Sequence, residues 1–200
     1  MSDTRAALTA AGVDAPYVLC PHSMSGLETI YWANEYPEEV SAIIGLDMAV
    51  PAYYDEMKIN IPLMRMSQFA AKMGITRVIP SLSESDAIRY GTLTDDEKAI
   101  YKAVFYRRTA TDTMINECVY VKDNAEIVKE SGVPDVPMLL YISDGSCGTG
   151  FDKETWRSIP KEYITNKDNA QYIELDCPHY VHDNEYELIS NKIIEFLEDK

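Results

Sequence analysis

The sequence lacks long hydrophobic runs and is poor in basic residues, and both shortages limit what the protein can do. No run among its 200 residues approaches the roughly 20 apolar residues that cross a bilayer. Residues 1–5 lack the charged and apolar regions of a signal peptide. Only 18 Lys and Arg residues stand against 33 Asp and Glu, which gives a net charge of -15. Nucleic acids and anionic membrane surfaces would repel such a chain, so we expect neither as a partner.

The sequence is also poor in cysteine, and its few cysteines show no metal-type or redox-type spacing. They are Cys20, Cys118, Cys147 and Cys177. This pattern predicts reduced, mostly buried thiols rather than disulfides, and with them a cytoplasmic location. We expect no cofactor and no bound metal. The hydrophobic fraction of 46% is typical of a globular protein with a proper core.

What is present is a pattern of short apolar runs and helical stripes that predicts an α/β fold with a mostly parallel sheet. Buried strands are predicted at residues 15–20, 40–46, 136–142 and 171–175. Between the second and third strands the chain is rich in Met and Tyr and helical in character. We therefore predict a helical cap or lid inserted into the sheet domain, with segments 1–52 and 134–200 forming the α/β core and 53–133 the cap.

Four polar residues follow directly after predicted strands: Ser23, Asp47, Asp144 and His179. Ligands of parallel sheets bind beyond the carboxyl ends of the strands, so this coincidence indicates a site. A sharp strand-to-helix turn would present the Ser23 hydroxyl above the sheet edge. The backbone N–H of Met24 would face the same space, at a helix N-terminus that favours negative charge. The alternative is that Ser23 caps the helix, a position that serine favours.

The region around Ser23 resembles the nucleophile elbow of α/β-hydrolase-fold enzymes, most closely their cap-bearing esterase, lipase and proline-iminopeptidase-like branch. The resemblance rests on residues 22–26, 36–40 and 45–47, and on the tail 175–182, which resembles the last strand and histidine loop of that family. Pro21 and Ser25 stand where the usual Gly-x-Ser-x-Gly pattern has its glycines. The resemblance implies that Ser23 is the nucleophile and that His179 is the general base.

The other histidines have less specific interpretations. His182, three residues after His179, is the rival base, and the pair could instead bind a metal together with Asp176 or Asp183. Metal-dependent hydrolysis is therefore a third hypothesis. His22 is expected to be structural, with its side chain turned away from the Ser23 hydroxyl.

The carboxylate that orients the histidine is left open between two residues. In the family the acid commonly follows the strand before the histidine strand, where Asp144 stands two residues early. Some members place the acid after the strand that follows the nucleophile helix, where Asp47 stands. Asp144 could instead cap the loop 145–150, and Asp47 could instead fix the end of its strand through backbone hydrogen bonds. We take Asp47 as the first choice and keep both.

The resemblance also shows what the sequence lacks. In the family, several strands and a second oxyanion-hole N–H precede the nucleophile strand, whereas only 22 residues precede Ser23 here. We therefore expect the N-terminal strands of the fold to be missing. A truncated sequence, a minimal enzyme and a homo-oligomer that completes an open sheet edge are the alternatives.

Together these features predict a serine hydrolase that cleaves a small ester or amide through an acyl-enzyme. The alternative is a non-catalytic, hydrolase-like binding protein or an inactive fragment of a longer hydrolase.

Overall fold

In the computed structural model, which describes residues 1–89 and 91–198, strands and helices alternate as a parallel α/β domain requires. The strands are β1 Tyr17–Leu19, β2 His22–Ser23, β3 Val40–Met48, β4 Met138–Ile142 and β5 Ala170–Glu174. The α-helices are α1 Ser2–Ala10, α2 Ser25–Glu35, α3 Tyr53–Glu56, α4 Ile61–Lys72, α5 Asp86–Arg89, α6 Asp95–Arg108, α7 Asp112–Ser131, α8 Lys153–Tyr163, α9 Val181–Asn184 and α10 Tyr186–Glu198. Short 3-10 helices span Pro37–Glu39, Ile75–Val78 and Pro80–Ser83. Within the described ranges, no helix is long and apolar enough to cross a membrane.

The strands form one sheet in the order β1-β3-β4-β5, with β2 pairing beside β3 after β1 has ended. Every pairing among the described strands is parallel, which confirms the predicted α/β class. The first predicted strand, 15–20, corresponds to β1, and β2 is a second short strand that the sequence did not predict. The two are separated by Cys20 and Pro21, and proline has no N–H to give to the ladder. The Pro21 carbonyl still accepts a hydrogen bond from the Leu46 N–H at 2.8 Å. Residues 17–23 thus run as one interrupted strand along β3.

The core lies against the central strands β3 and β4. Alternate residues of a strand face the same side of a sheet, and Ala42, Ile44, Leu139 and Tyr141 share one buried cluster with residues of α10. The Tyr141 hydroxyl donates to the carbonyl of Ile189 on α10 at 3.1 Å. Each large apolar side chain buried in this way contributes about 1.5–3 kcal/mol. The cluster fixes the sheet whose carboxyl edge carries the candidate site.

The chain divides into two compact units, one formed by residues 1–55 with residue 124 onward and the other by residues 56–123. The sequence placed the insertion at 53–133, so the structure assigns more residues to the first unit. Tyr53 explains the difference at the start, because its ring is buried and stacks on Trp156 at 4.1 Å. At the other end, α7 continues past residue 123, and its Val128 is buried.

The second unit consists mainly of helices. Gln68 joins α4 to the start of α7, because its side-chain amide donates to the Ala110 carbonyl and to the Asp112 carboxylate, both at 3.0 Å. Many apolar side chains of this unit are exposed, among them Met66 and Phe69.

The four cysteines are free thiols, but the prediction that most of them are buried is wrong, because Cys118 is only half-buried and two others are exposed. Cys177 is buried, and burial raises the pKa of its thiol to about 12. Cys20 and Cys147 are exposed. Both lie just outside strands: Cys20 directly follows β1 at the sheet edge, and Cys147 lies in the loop after β4. Such connecting segments run over the surface.

Candidate active site

The chain turns sharply at Ser23, between β2 and α2. Ser23 has a positive φ of 55°, a conformation that costs a non-glycine residue about 1–2 kcal/mol. Its carbonyl accepts a hydrogen bond from the Ala49 N–H at 2.7 Å, which anchors the turn to the end of β3. Helix α2 begins two residues later at Ser25. The structure thus has the strand–turn–helix that the sequence predicts at this position.

Two small residues allow α2 to start so close to the sheet. The Ser25 hydroxyl donates to the His22 carbonyl at 2.7 Å and accepts from the His22 N–H at 3.0 Å. Gly26 is buried, and a Cβ there would overlap the carbonyl oxygen of Ala49 and lie 3.0 Å from its nitrogen. Ser25 and Gly26 together therefore take the place of the second glycine in the usual pattern.

Replacing Gly26 with alanine should destabilise the fold by about 3 kcal/mol, because the added methyl group meets backbone atoms that cannot move aside. The measurement is the free energy of unfolding in urea. Gly12→Ala is the matched control: its Cβ would meet nothing within 4 Å, and only its positive φ of 71° opposes the change, for about 1 kcal/mol. A Gly26→Ala protein as stable as the Gly12→Ala protein would contradict this account of the turn.

Asp47 lies at the end of β3 and is the acceptor of a dense hydrogen-bond network. Its side chain is buried and its φ is 51°. Oδ1 accepts from the Ser143 N–H at 2.7 Å and from the Trp156 indole N–H at 3.0 Å. Oδ2 accepts from the Ser143 hydroxyl at 2.6 Å and lies 2.6 Å from Nδ1 of His179. A buried carboxylate needs such partners, because unpaired it would carry a large desolvation cost.

The donors to Asp47 are themselves held in place. Tyr53 stacks on Trp156 and donates its hydroxyl proton to the Trp156 carbonyl at 2.6 Å. Burial, and secondarily the charge of the nearby carboxylate, raise the pKa of Tyr53, so its hydroxyl stays protonated. Arg157 donates to the Ser143 carbonyl at 3.0 Å and to the Leu175 carbonyl at 2.6 Å. Helix α8 thus fixes the Asp47 network through two successive residues.

His179 is the histidine that the structure brings to this carboxylate. It is buried, and its backbone N–H donates to the Ser146 carbonyl at 3.1 Å. Because Asp47 Oδ2 is an acceptor, Nδ1 of His179 carries the proton of their bond and Nε2 is left as the basic nitrogen. His182 is more exposed, and its Nε2 lies 3.9 Å from Oδ1 of Asp183. Its Nδ1 has no hydrogen-bond partner among the residues that the structure describes.

No hydrogen bond or ion pair joins the Asp144 carboxylate to His179 in the part of the chain that the structure describes. Its Oδ1 accepts from the Ser146 N–H at 2.8 Å, and its own N–H donates to the Cys177 carbonyl at 3.0 Å. This is the loop-capping arrangement that the sequence left open as the alternative for Asp144.

Ser23 reaches the same edge of the sheet as Asp47. Its register partner on β3 is Met48, the residue after Asp47. Among the described residues, no hydrogen bond joins the Ser23 hydroxyl to His179. Met24 is the N-cap position of α2, so its N–H belongs to the end of the helix that favours negative charge.

His22 packs among the other two histidines. Its ring centroid lies 4.6 Å from that of His179, 4.8 Å from that of His182 and 5.0 Å from that of Tyr180. Its Nε2 lies 3.2 Å from the carbonyl oxygen of His179. Burial, and secondarily the neighbouring His179, lower the pKa of His22 to about 4. The sequence predicts a structural role for His22 but not this contact with His179.

Sequence reasoning also missed Ser143, Trp156 and Arg157. Ser143 carried a usable signal, because it follows β4 at the same sheet edge as the other candidates. Trp156 and Arg157 had none, since they lie inside a helix and reach the site only through tertiary packing.

The described residues contain no group of three or more His, Cys, Asp and Glu side chains that could hold a metal ion. The third hypothesis, metal-dependent hydrolysis through His179 and His182, therefore gains no support from the structure.

Comparison with known proteins gives a sequence relative and similar solved structures. No protein-family model matches the chain. An uncharacterized protein of Bacillus subtilis, YbdG, is 34% identical over 151 residues, which are 72% of this chain and 46% of the relative. The chain thus spans about half the length of that protein.

The similar solved structures match almost the whole chain. An epoxide hydrolase from Bacillus megaterium aligns with 98% of this chain and 74% of its own, with a TM-score of 0.61 and 16% identity. A protein from Acinetobacter baumannii provisionally described as a lipase aligns with 99% of this chain and 66% of its own, with a TM-score of 0.62 and 14% identity. At such low identity these matches establish the fold alone.

Proposed function

We propose, starting from the α/β-hydrolase fold that this chain shares with these enzymes, that it is a serine hydrolase cleaving a small ester or amide through an acyl-enzyme. The fold itself is established by the matches. One observation carries the proposal: a buried carboxylate, Asp47, and a buried imidazole, His179, are joined at 2.6 Å at the sheet edge where Ser23 sits in a strained turn. Strained backbone gathers at functional sites, and Ser23 and Asp47 are two of four non-glycine residues with positive φ in the described ranges.

The roles follow from the hydrogen bonds. Asp47 fixes the tautomer of His179 and stabilises the imidazolium that forms during the reaction. Nε2 of His179 takes the proton of the Ser23 hydroxyl as the oxygen attacks the carbonyl carbon of the substrate. The same nitrogen then gives the proton to the leaving alcohol or amine. Water, activated in the same way, cleaves the acyl-enzyme and restores Ser23.

Met24 supplies the oxyanion donor in this proposal. Its N–H directly follows the nucleophile and lies at the start of α2, where the helix field favours the developing charge. One such donor contributes about 10²- to 10³-fold to turnover.

The structural neighbours are described as hydrolases, which supports hydrolysis as the reaction, but they do not share one substrate. The aligned enzymes include an epoxide hydrolase and a protein described as a lipase. A serine hydroxyl at the turn favours acyl transfer, so we assign esters and amides as the substrate class. The match covers only 46% of the sequence relative. We therefore propose the same activity for any longer protein that contains this chain.

A fluorophosphonate probe tests the proposal directly, because it phosphonylates only an activated serine. We expect a single adduct, mapped by peptide mass spectrometry to Ser23, in folded protein and none after denaturation. The Ser23→Ala protein should give none. A folded chain without an adduct at Ser23 would reject the proposal and favour the non-catalytic alternative.

A further inference from the structure

His22 bridges the two chain segments whose spacing matters most for the proposed reaction. Its backbone belongs to β2, directly before Ser23, and its register partner on β3 is Leu46. Its ring lies on the segment that carries His179, with Nε2 3.2 Å from the carbonyl oxygen of His179 and the two rings 4.6 Å apart. The side chain therefore spans from the nucleophile strand to the histidine loop.

The strand end of this bridge is rigid. The Ser25 hydroxyl closes a ring of two hydrogen bonds on the His22 backbone, one to its carbonyl at 2.7 Å and one from its N–H at 3.0 Å. This fixes His22 between β3 and the first turn of α2. A contact between the His22 ring and the histidine loop therefore fixes the position of that loop relative to the turn at Ser23.

The loop end of the bridge defines the state of the ring. A carbonyl oxygen can only accept a hydrogen bond. Nε2 of His22 therefore carries the ring proton and donates a hydrogen bond to the backbone carbonyl of His179. The titratable and charged groups that act on His22 are His179, His182 and Asp47. Because burial keeps the pKa of His22 near 4, the ring stays neutral at physiological pH. It thus adds no positive charge beside His179, which becomes an imidazolium in the proposed mechanism.

We propose that His22 is a positioning residue, whose N–H···O bond and ring contact hold the His179 loop at the distance from Ser23 that proton transfer requires. This inference rests on the proposed function for its catalytic meaning, although the bond itself does not depend on any activity. A reacting group displaced by about 1 Å can lose about 10²-fold in rate. His22 then acts through His179, without touching the substrate.

The test compares His22→Leu, which keeps bulk and removes the donor, with His22→Gln, whose amide can place an N–H near the position of Nε2. For ester hydrolysis we expect His22→Leu to lower kcat by about 10²-fold with KM changed by less than about threefold. His22→Gln should recover at least about tenfold of that loss. Unchanged kcat in His22→Leu, or equal losses in both variants, would overturn the proposal.

A second readout measures the bridge without the chemistry. Amide hydrogen exchange in the loop around His179 should be about five- to tenfold faster in His22→Leu, matching the loss of one hydrogen bond, and near wild type in His22→Gln. If the wild-type chain neither hydrolyses esters nor labels at Ser23, the proposed function fails and exchange alone decides the bridge. Equal protection of the loop in wild type and His22→Leu would refute it.

Discussion

Replacing Ser23 with alanine is expected to lower kcat for ester hydrolysis by about 10⁴- to 10⁶-fold, because the acyl-enzyme can no longer form. The change should leave the fold intact. The Ser23 carbonyl, which anchors the turn to Ala49, is part of the backbone and remains. The strained φ of 55° is as accessible to alanine as to serine. The measurement is kcat for an activated ester, together with the free energy of unfolding.

Ser158→Ala is the matched control, because Ser158 is an exposed residue of α8 whose hydroxyl donates to the Thr155 carbonyl. We expect its kcat to equal that of the wild type. A Ser23→Ala protein that keeps kcat within tenfold of the wild type would mean that another group attacks the substrate, and the proposed role of Ser23 would be wrong.

Replacing Asp47 with asparagine is the second large effect, a loss of about 10³- to 10⁴-fold in kcat. The amide has nearly the shape of the carboxylate but no charge to stabilise the His179 imidazolium. Oδ2 of Asp47 lies 2.6 Å from both the Ser143 hydroxyl and Nδ1 of His179. An NH₂ group in its place cannot accept these two hydrogen bonds. The histidine would then lose its fixed tautomer. Steady-state kinetics on the folded variant measure the loss.

Asp144→Asn separates the two carboxylates that the sequence left open. Asp144 accepts from a backbone N–H in its own loop, so its substitution should leave kcat within about threefold of the wild type. If Asp144→Asn lowered kcat as much as Asp47→Asn, Asp47 would not be the specific partner of His179, and its proposed role would be wrong.

The sheet could be predicted from the sequence because its signals are local. Apolar runs bounded by Gly, Pro and polar residues identified the strands, and parallel pairing followed from the alternation with helices. The position of Ser23 was predictable for the same reason, since a strand, a turn and a helix follow one another within a few residues. The short strand β2 after Pro21 was not predicted, because it exists only through its pairing with β3, which the fold supplies.

The surroundings of the carboxylate could not be predicted, because they are built from distant parts of the chain. The partners of Asp47 are Ser143, Trp156 and His179, which lie 96, 109 and 132 positions further along the chain. No periodicity in one sequence encodes such meetings. The same holds for His22, whose contact to His179 spans 157 positions. The choice between Asp47 and Asp144 therefore needed coordinates.

The catalytic roles of Ser23, Met24, Asp47 and His179 remain predictions of this account. So does the helical cap, for which the structure gives a compact unit at residues 56–123.

A crystal structure of the fluorophosphonate-treated chain tests the central claim most directly. We predict a phosphorus atom bonded to Oγ of Ser23, a phosphonyl oxygen within hydrogen-bond distance of the Met24 N–H, and Nε2 of His179 facing the modified oxygen while Nδ1 stays on Asp47. Phosphorus on any other residue, or an unmodified Ser23 whose hydroxyl lies out of reach of His179, would contradict it.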